Sequence, residues 1–83
     1  MLAVEAKSTK GRLMRSAIQP KQAEQLDAVA KVGHAAYLLV EFRIGDNRYN
    51  RFAVPWQLVP WRKLKSALSI GPTDMRLEWL IIP

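Results

Sequence analysis

The stretch PKQAEQLDAVAKVGHAAYLLVEFRI, residues 20–44, decides the fold. Its first half carries helix signals at both ends. Pro20 fits the first helical position, where its missing N–H costs nothing, and Gly33 is a natural C-terminal cap. Ala23, Leu26, Val29 and Ala30 line one face, while Lys21, Glu24, Gln25, Asp27 and Lys31 face water, so a helix is predicted over 20–32. The second half, AAYLLVEFRI at 35–44, is nearly continuous apolar sequence with β-branched and aromatic members, as expected of a strand buried on both faces.

Working outward, LAVEAK at 2–7 alternates as a short strand, with Leu2, Val4 and Ala6 forming an apolar face and Ala3, Glu5 and Lys7 the other. STKGRLMRSAI, 8–18, reads as a basic loop. On the far side, Gly45-Asp46-Asn47 is a turn and RYNRFAV, 48–54, the returning strand of a hairpin, ended by Pro55-Trp56. Pro60 opens a short helix over about 60–68, with Trp61, Leu64 and Leu68 on one face and Arg62, Lys63 and Lys65 on the other. Gly71-Pro72 breaks it. In the tail, Met75, Leu77, Trp79 and Ile81 alternate as a strand would, and Met75, Trp79 and Ile82 also fit a helical face. The chain is one α/β unit without repeats or linker: strand, helix, hairpin, basic helix, and a C-terminal strand or helix.

At 83 residues the domain is small and buries a modest share of its surface. With no cysteine, disulfides and zinc–cysteine sites are excluded, and the core falls to the three Trp, two Phe, two Tyr and the aliphatics, with a second subunit as a further source. No segment resembles a signal peptide, and the longest apolar run, AAYLLV, is far short of a membrane span. A soluble cytoplasmic protein with no membrane partner is expected. The net charge of +6 is unevenly placed: residues 1–15 carry +3, residues 51–65 carry +4, the segment between is neutral and the tail is −1. Two basic clusters around a neutral centre suit a polyanion, because each phosphate neutralised releases counterion.

Glu5-Ala6-Lys7 is the one stretch with the makings of catalysis. A spacing of two along a strand sets a carboxylate and an ammonium on one face, about 6.5–7 Å apart along the backbone. Phosphodiester hydrolysis uses such a pair: a carboxylate to hold a metal that lowers the pKa of bound water, and a cation to position that water or meet developing charge. A solvated pair on an edge strand has the same spacing.

Read end to end, the chain resembles the PD-(D/E)XK nuclease superfamily, and within it the Holliday-junction resolvases of the RecU and Hjc types. LAVEAKSTKG is similar to that family's catalytic strand and Lys-bearing motif, and PKQAEQLDAVAKVG to its helix, with a Gln near the start, a Leu four residues later and a Gly at the end. AAYLLVEF and RYNRFAV follow in the family's order, so the resemblance covers residues 2 to about 56. It implies a small restriction-endonuclease-like core and a Mg²⁺- or Mn²⁺-dependent endonuclease acting on branched or duplex DNA in recombination and repair, in a homodimer. Glu5 would ligate the metal, with the Ala6 carbonyl as a second ligand. Lys7 would orient or activate the attacking water, and Gln22 would sit beside the same site. Lys10, Arg12 and Arg15 would touch phosphate, and Arg62, Lys63 and Lys65 form a second DNA-facing candidate.

The family also carries an Asp on the strand before the Glu-x-Lys strand. Met1 stands four residues ahead of Glu5, so residues 1–83 are expected to form a truncated nuclease-like domain. Asp74 or Glu78 of the tail could in principle supply an acid; Glu24 and Asp27 fall on the solvent side of the helix. Three accounts follow: a piece of a longer nuclease, a non-catalytic nucleic-acid-binding or assembly module that keeps the fold, or two chains that share ligands across the open edge beside LAVEAK. His34, the single histidine, reads as a loop residue, and Trp56 and Trp61 as anchors of the hairpin rather than stacking platforms for bases.

Overall fold

A computed structural model describes residues 1–81. β1 (Leu2–Thr9) leads through a basic connection, which contains the two-residue strand β2 (Leu13–Met14), into α1 (Pro20–Lys31). β3 (Ala35–Gly45) then lies parallel to β1, and β4 (Arg48–Pro55) returns antiparallel, giving a mixed sheet in the order β1-β3-β4. Parallel neighbours need a crossover connection, and α1 provides it. A second, minimal sheet pairs β2 with β5 (Ser69–Ile70).

The helix and hairpin follow from local chemistry. Pro20 sits in the first turn of α1. Gly33 takes φ +85°, and the Gly33 and His34 N–H groups bond back to the Ala30 and Val29 carbonyls, closing the helix end. At the tip between β3 and β4, Asn47 takes the left-handed conformation (φ 57°), which asparagine tolerates better than other side chains.

The core lies between one sheet face and α1. Leu38, Val40 and Val54 are fully buried on that face, flanked by Phe42 and Phe52, whose rings meet edge to face at 6.0 Å. Leu26 packs down from the helix, and Trp56, Val59, Trp61, Leu13, Ile18 and Ile70 close the end of the core. β3 is buried on one face only; Tyr37, Leu39 and Glu41 on its other face are half-buried.

That corrects the expectation of a strand buried on both faces, and other expectations change with it. The faces of β1 are the reverse of what its hydrophobic pattern suggests: Ala3, Glu5, Lys7 and Thr9 are the more buried set, while Leu2 (63 % exposed) and Val4 (50 %) face outward. In place of a helix over 60–68 there is one 3₁₀ turn, Pro60–Arg62, and Leu64 and Leu68 are exposed. Nine residues are too few to repay helix nucleation without a buried face, and only Trp61 has one. The segment 8–18 is not all loop, since Leu13 and Met14 pair with Ile70 and Ser69. The tail forms 3₁₀ turns at Pro72–Asp74 and Leu77–Trp79, with strand character reduced to a bridge between Leu80 and Phe52; Ile82 lies outside the described residues.

Candidate functional site

The inward face of β1 puts two charged side chains where a core residue would otherwise stand. Glu5 pairs in register with Leu38 and Lys7 with Val40, both fully buried. Each charged side chain is only 25 % exposed, and Lys7 Nζ lies 3.6 Å from Glu5 Oε1. Burying charge is unfavourable unless it is paired, so the ion pair is what lets this face turn inward.

α1 completes the cluster. Gln22 Nε2 donates to Glu5 Oε1 at 2.9 Å. The amide's orientation is set by its other end, because Gln22 Oε1 accepts the Gln19 backbone N–H at 3.0 Å. One side chain therefore caps the helix and holds the carboxylate. Glu5, Lys7 and Gln22, expected at one site, are brought together.

The site lies toward the carboxyl end of β1, where the basic connection begins and α1 starts its return. In open α/β sheets this end of the parallel strands is where ligands bind, and the first turn of a helix adds partial positive charge there. β2–β5 pairing then joins the two basic clusters. Leu13 and Met14 lie against Ile70 and Ser69, and Arg15 N–H donates to the Leu68 carbonyl at 2.7 Å. As a result Arg15 from the first cluster, and Arg62 and Lys65 from the second, line one open groove of about 920 Å³, floored in part by Trp56 and Trp61.

The basic residues differ in freedom. Lys10, Arg15, Lys63 and Lys65 are exposed and make no ion pair among the described residues. Arg12 is held instead: its guanidinium donates to Ser69 Oγ (2.8 Å), the Ser69 carbonyl (3.2 Å) and Asp74 Oδ2 (3.1 Å). Arg62 pairs with Asp27 and lies 4.8 Å over the Trp56 ring. Asp27, read as solvent-facing, is half-buried and also accepts the Trp56 indole N–H at 2.8 Å.

The acids do not gather. Asp74 is committed to Arg12 and the Gly71 N–H, Glu78 pairs with Arg76, and Glu41 bonds Arg51 and Ser8 on the outer sheet face. Among the described residues no group of three His, Cys, Asp or Glu side chains stands together. Glu5 nevertheless keeps a free oxygen, since both of its contacts fall on Oε1. That oxygen is a hard donor, and a single carboxylate would hold a Mg²⁺-type cation only weakly, with most of its ligands coming from water and phosphate. His34 is exposed at the opposite end of β1, with Nδ1 3.3 Å from the N-terminal amine. Trp56 and Trp61 are 2 % and 5 % exposed and serve the core.

Sequence reasoning missed the capping role of Gln22 and the part played by Asp27. A Gln at Gln19 in place of the usual Ser, Thr or Asp hides the helix start. The signal for Asp27 was its place on the same helix side as Ala23, toward the tryptophans. No family model, curated protein or solved structure matches the chain.

Proposed function

We propose that the chain is the Glu-x-Lys-bearing part of a Mg²⁺- or Mn²⁺-dependent endonuclease of the Holliday-junction-resolvase type. It has a restriction-endonuclease-like core and acts in the cytoplasm on branched or duplex DNA during recombination and repair. The observation that carries this reading is the 2.9 Å bond from Gln22 to Glu5 beside Lys7. A carboxylate, an ammonium and an oriented amide converge on the inner face of a parallel strand, and a separate groove in the same small domain is lined by arginine and lysine.

Each side chain has a task in that chemistry. Glu5, with the Ala6 carbonyl, would hold the metal, which when bound neutralises phosphate charge and acidifies a water. Gln22 fixes Glu5 so that its second oxygen stays free. Lys7, tethered beside the carboxylate, orients the attacking water or meets charge developing on the phosphoryl oxygens. Arg15, Arg62 and Lys65 hold phosphates along the groove, reading backbone and shape rather than base edges.

A second reading, a non-catalytic nucleic-acid-binding or assembly module with the same fold, is favoured by the lack of any group of three acids or histidines among the described residues. Gel shift and Mg²⁺-dependent cleavage of a synthetic four-way junction separate the two. Cleavage that is lost in Lys7→Ala while binding persists supports the nuclease. Salt-dependent binding without cleavage supports the module, and neither binding nor cleavage refutes both.

A further inference from the structure

The groove holds more than a track for phosphates needs. Phosphate oxygens are met by exposed cations, and Arg15 and Lys65 supply two that make no ion pair among the described residues. Much of the remaining lining is apolar, and Met14 (49 % exposed) and Leu68 (61 %) stand open to solvent. A duplex presents its charged backbone and keeps its bases stacked inside, so it leaves such a surface uncovered. A strand with unpaired bases can cover it.

Arg62, the third cation of the groove, is held differently. Asp27 Oδ1 pairs with its guanidinium and also accepts the Trp56 indole N–H at 2.8 Å, so one carboxylate oxygen fixes both groups. The guanidinium lies over the Trp56 ring, 4.8 Å from its centroid. Trp56, at 2 % exposure, is too covered to receive a base itself. The Arg62 side chain is 30 % exposed and lines the groove. Its N–H groups beyond the Asp27 contact stay available to phosphate, and its planar face to a base, since unpaired bases stack on guanidinium planes as they do on aromatic rings.

We infer that the groove takes a nucleic-acid segment with an unpaired base, which stacks on Arg62 while Arg15 and Lys65 hold neighbouring phosphates. The inference rests on the reading of the groove as a nucleic-acid surface, and it stands whether or not Glu5 supports cleavage. Asp27 is the observation that favours a base. A carboxylate beside the cations repels phosphate, and what it supplies in return is a fixed position for the Arg62 plane. An acidic peptide would match the apolar lining and the free cations, but it would be better served by an Arg62 without that acid.

The test compares a short thymidine strand with an abasic strand of the same length and charge. Binding is measured by fluorescence anisotropy in EDTA, so that cleavage plays no part. Stacking of one base should make the thymidine strand bind about tenfold tighter. Arg62→Lys keeps the charge and loses the plane, so that preference should fall to about one while abasic binding holds. Asp27→Asn removes a negative charge and releases Arg62, so abasic binding should tighten as the preference drops. Arg15→Ala should weaken both strands alike and lower the salt slope by about 0.7. Equal affinity for the two strands in the unsubstituted chain, a comparison that needs no variant to fold, overturns the inference and leaves the nucleic-acid reading standing. A preference that survives Arg62→Lys also overturns it, as does an acidic, leucine-bearing peptide that binds more tightly than either strand. Failure to bind any strand, duplex or junction overturns it together with the nucleic-acid reading.

Discussion

Gln22 is the residue through which the helix start and the carboxylate depend on each other, and removing its side chain tests that dependence. Gln22→Ala deletes two hydrogen bonds: the 3.0 Å cap from the Gln19 N–H and the 2.9 Å bond to Glu5. A hydrogen bond to a charged group contributes about 1.5–3 kcal/mol; with Glu5 a quarter exposed, the lower end applies, about 1.5 kcal/mol. Loss of a helix-capping acceptor adds about 0.5–1 kcal/mol. The expected cost is therefore about 2–2.5 kcal/mol, which for a domain this size lowers Tm by roughly 8–20 °C. Urea and thermal unfolding measure it. Gln22→Glu keeps an oxygen for the cap but sets carboxylate against carboxylate, so it too is destabilised. E5Q/Q22E exchanges donor and acceptor and should recover most of that loss. If Gln22→Ala costs less than about 0.5 kcal/mol, or if E5Q/Q22E is no more stable than Q22E, the bond does not organise the site.

Other substitutions probe the remaining structure. Arg12→Ala, which loses Ser69 and Asp74, should loosen the β2–β5 pairing and lower stability, whereas Arg15→Ala should leave stability intact and reduce the salt slope of DNA binding by about 0.9; melting curves and salt titrations distinguish them. Leu38→Ala, at a fully buried position beside Glu5 and Val54, should cost about 2–5 kcal/mol. That is comparable to the whole stability of a domain this small, roughly 3–5 kcal/mol, so circular dichroism should show a largely unfolded chain at 37 °C. Gly33→Ala, at φ +85°, should cost about 1–2 kcal/mol in urea unfolding without altering DNA binding.

The parts of the fold legible in the sequence are those governed by local chemistry. Pro20 and Gly33 bracket α1, and Asp46-Asn47 between two apolar runs marks the hairpin. The orientation of β1 was not legible, because Leu2, Val4 and Ala6 make the better apolar stripe. What reverses it is tertiary: Gln22 on the overlying helix and Lys7 on the same strand give Glu5 partners inside. The segment 60–68 misled in the opposite sense. Its amphipathic pattern is sound, yet only Trp61 finds a core to pack against, and Leu64 and Leu68 stay in solvent.

The site divides the same way. Glu5 and Lys7 are visible as a spacing, and their chemistry can be argued from it, but Gln22 enters only through the family resemblance, since nothing in its sequence surroundings ties it to β1. The groove was not visible at all. Arg15 and Lys65 are fifty residues apart, and what joins them is a two-residue strand pairing and one backbone hydrogen bond, too short to leave a pattern. The different commitments of Arg12 and Arg15, three residues apart, are likewise set by where β5 falls.

The most direct test of the central claim is the single-turnover rate of four-way-junction cleavage in Mg²⁺ at saturating protein, for the unsubstituted chain and for Lys7→Ala. A cation that positions or activates the nucleophile accounts for about 10²–10⁴-fold in rate. Cleavage by the unsubstituted chain, with a loss of that size in Lys7→Ala and little change in affinity, is the predicted result. Equal rates in the two chains, or no metal-dependent cleavage by the unsubstituted chain at any concentration, would contradict a catalytic role for Glu5-Ala6-Lys7.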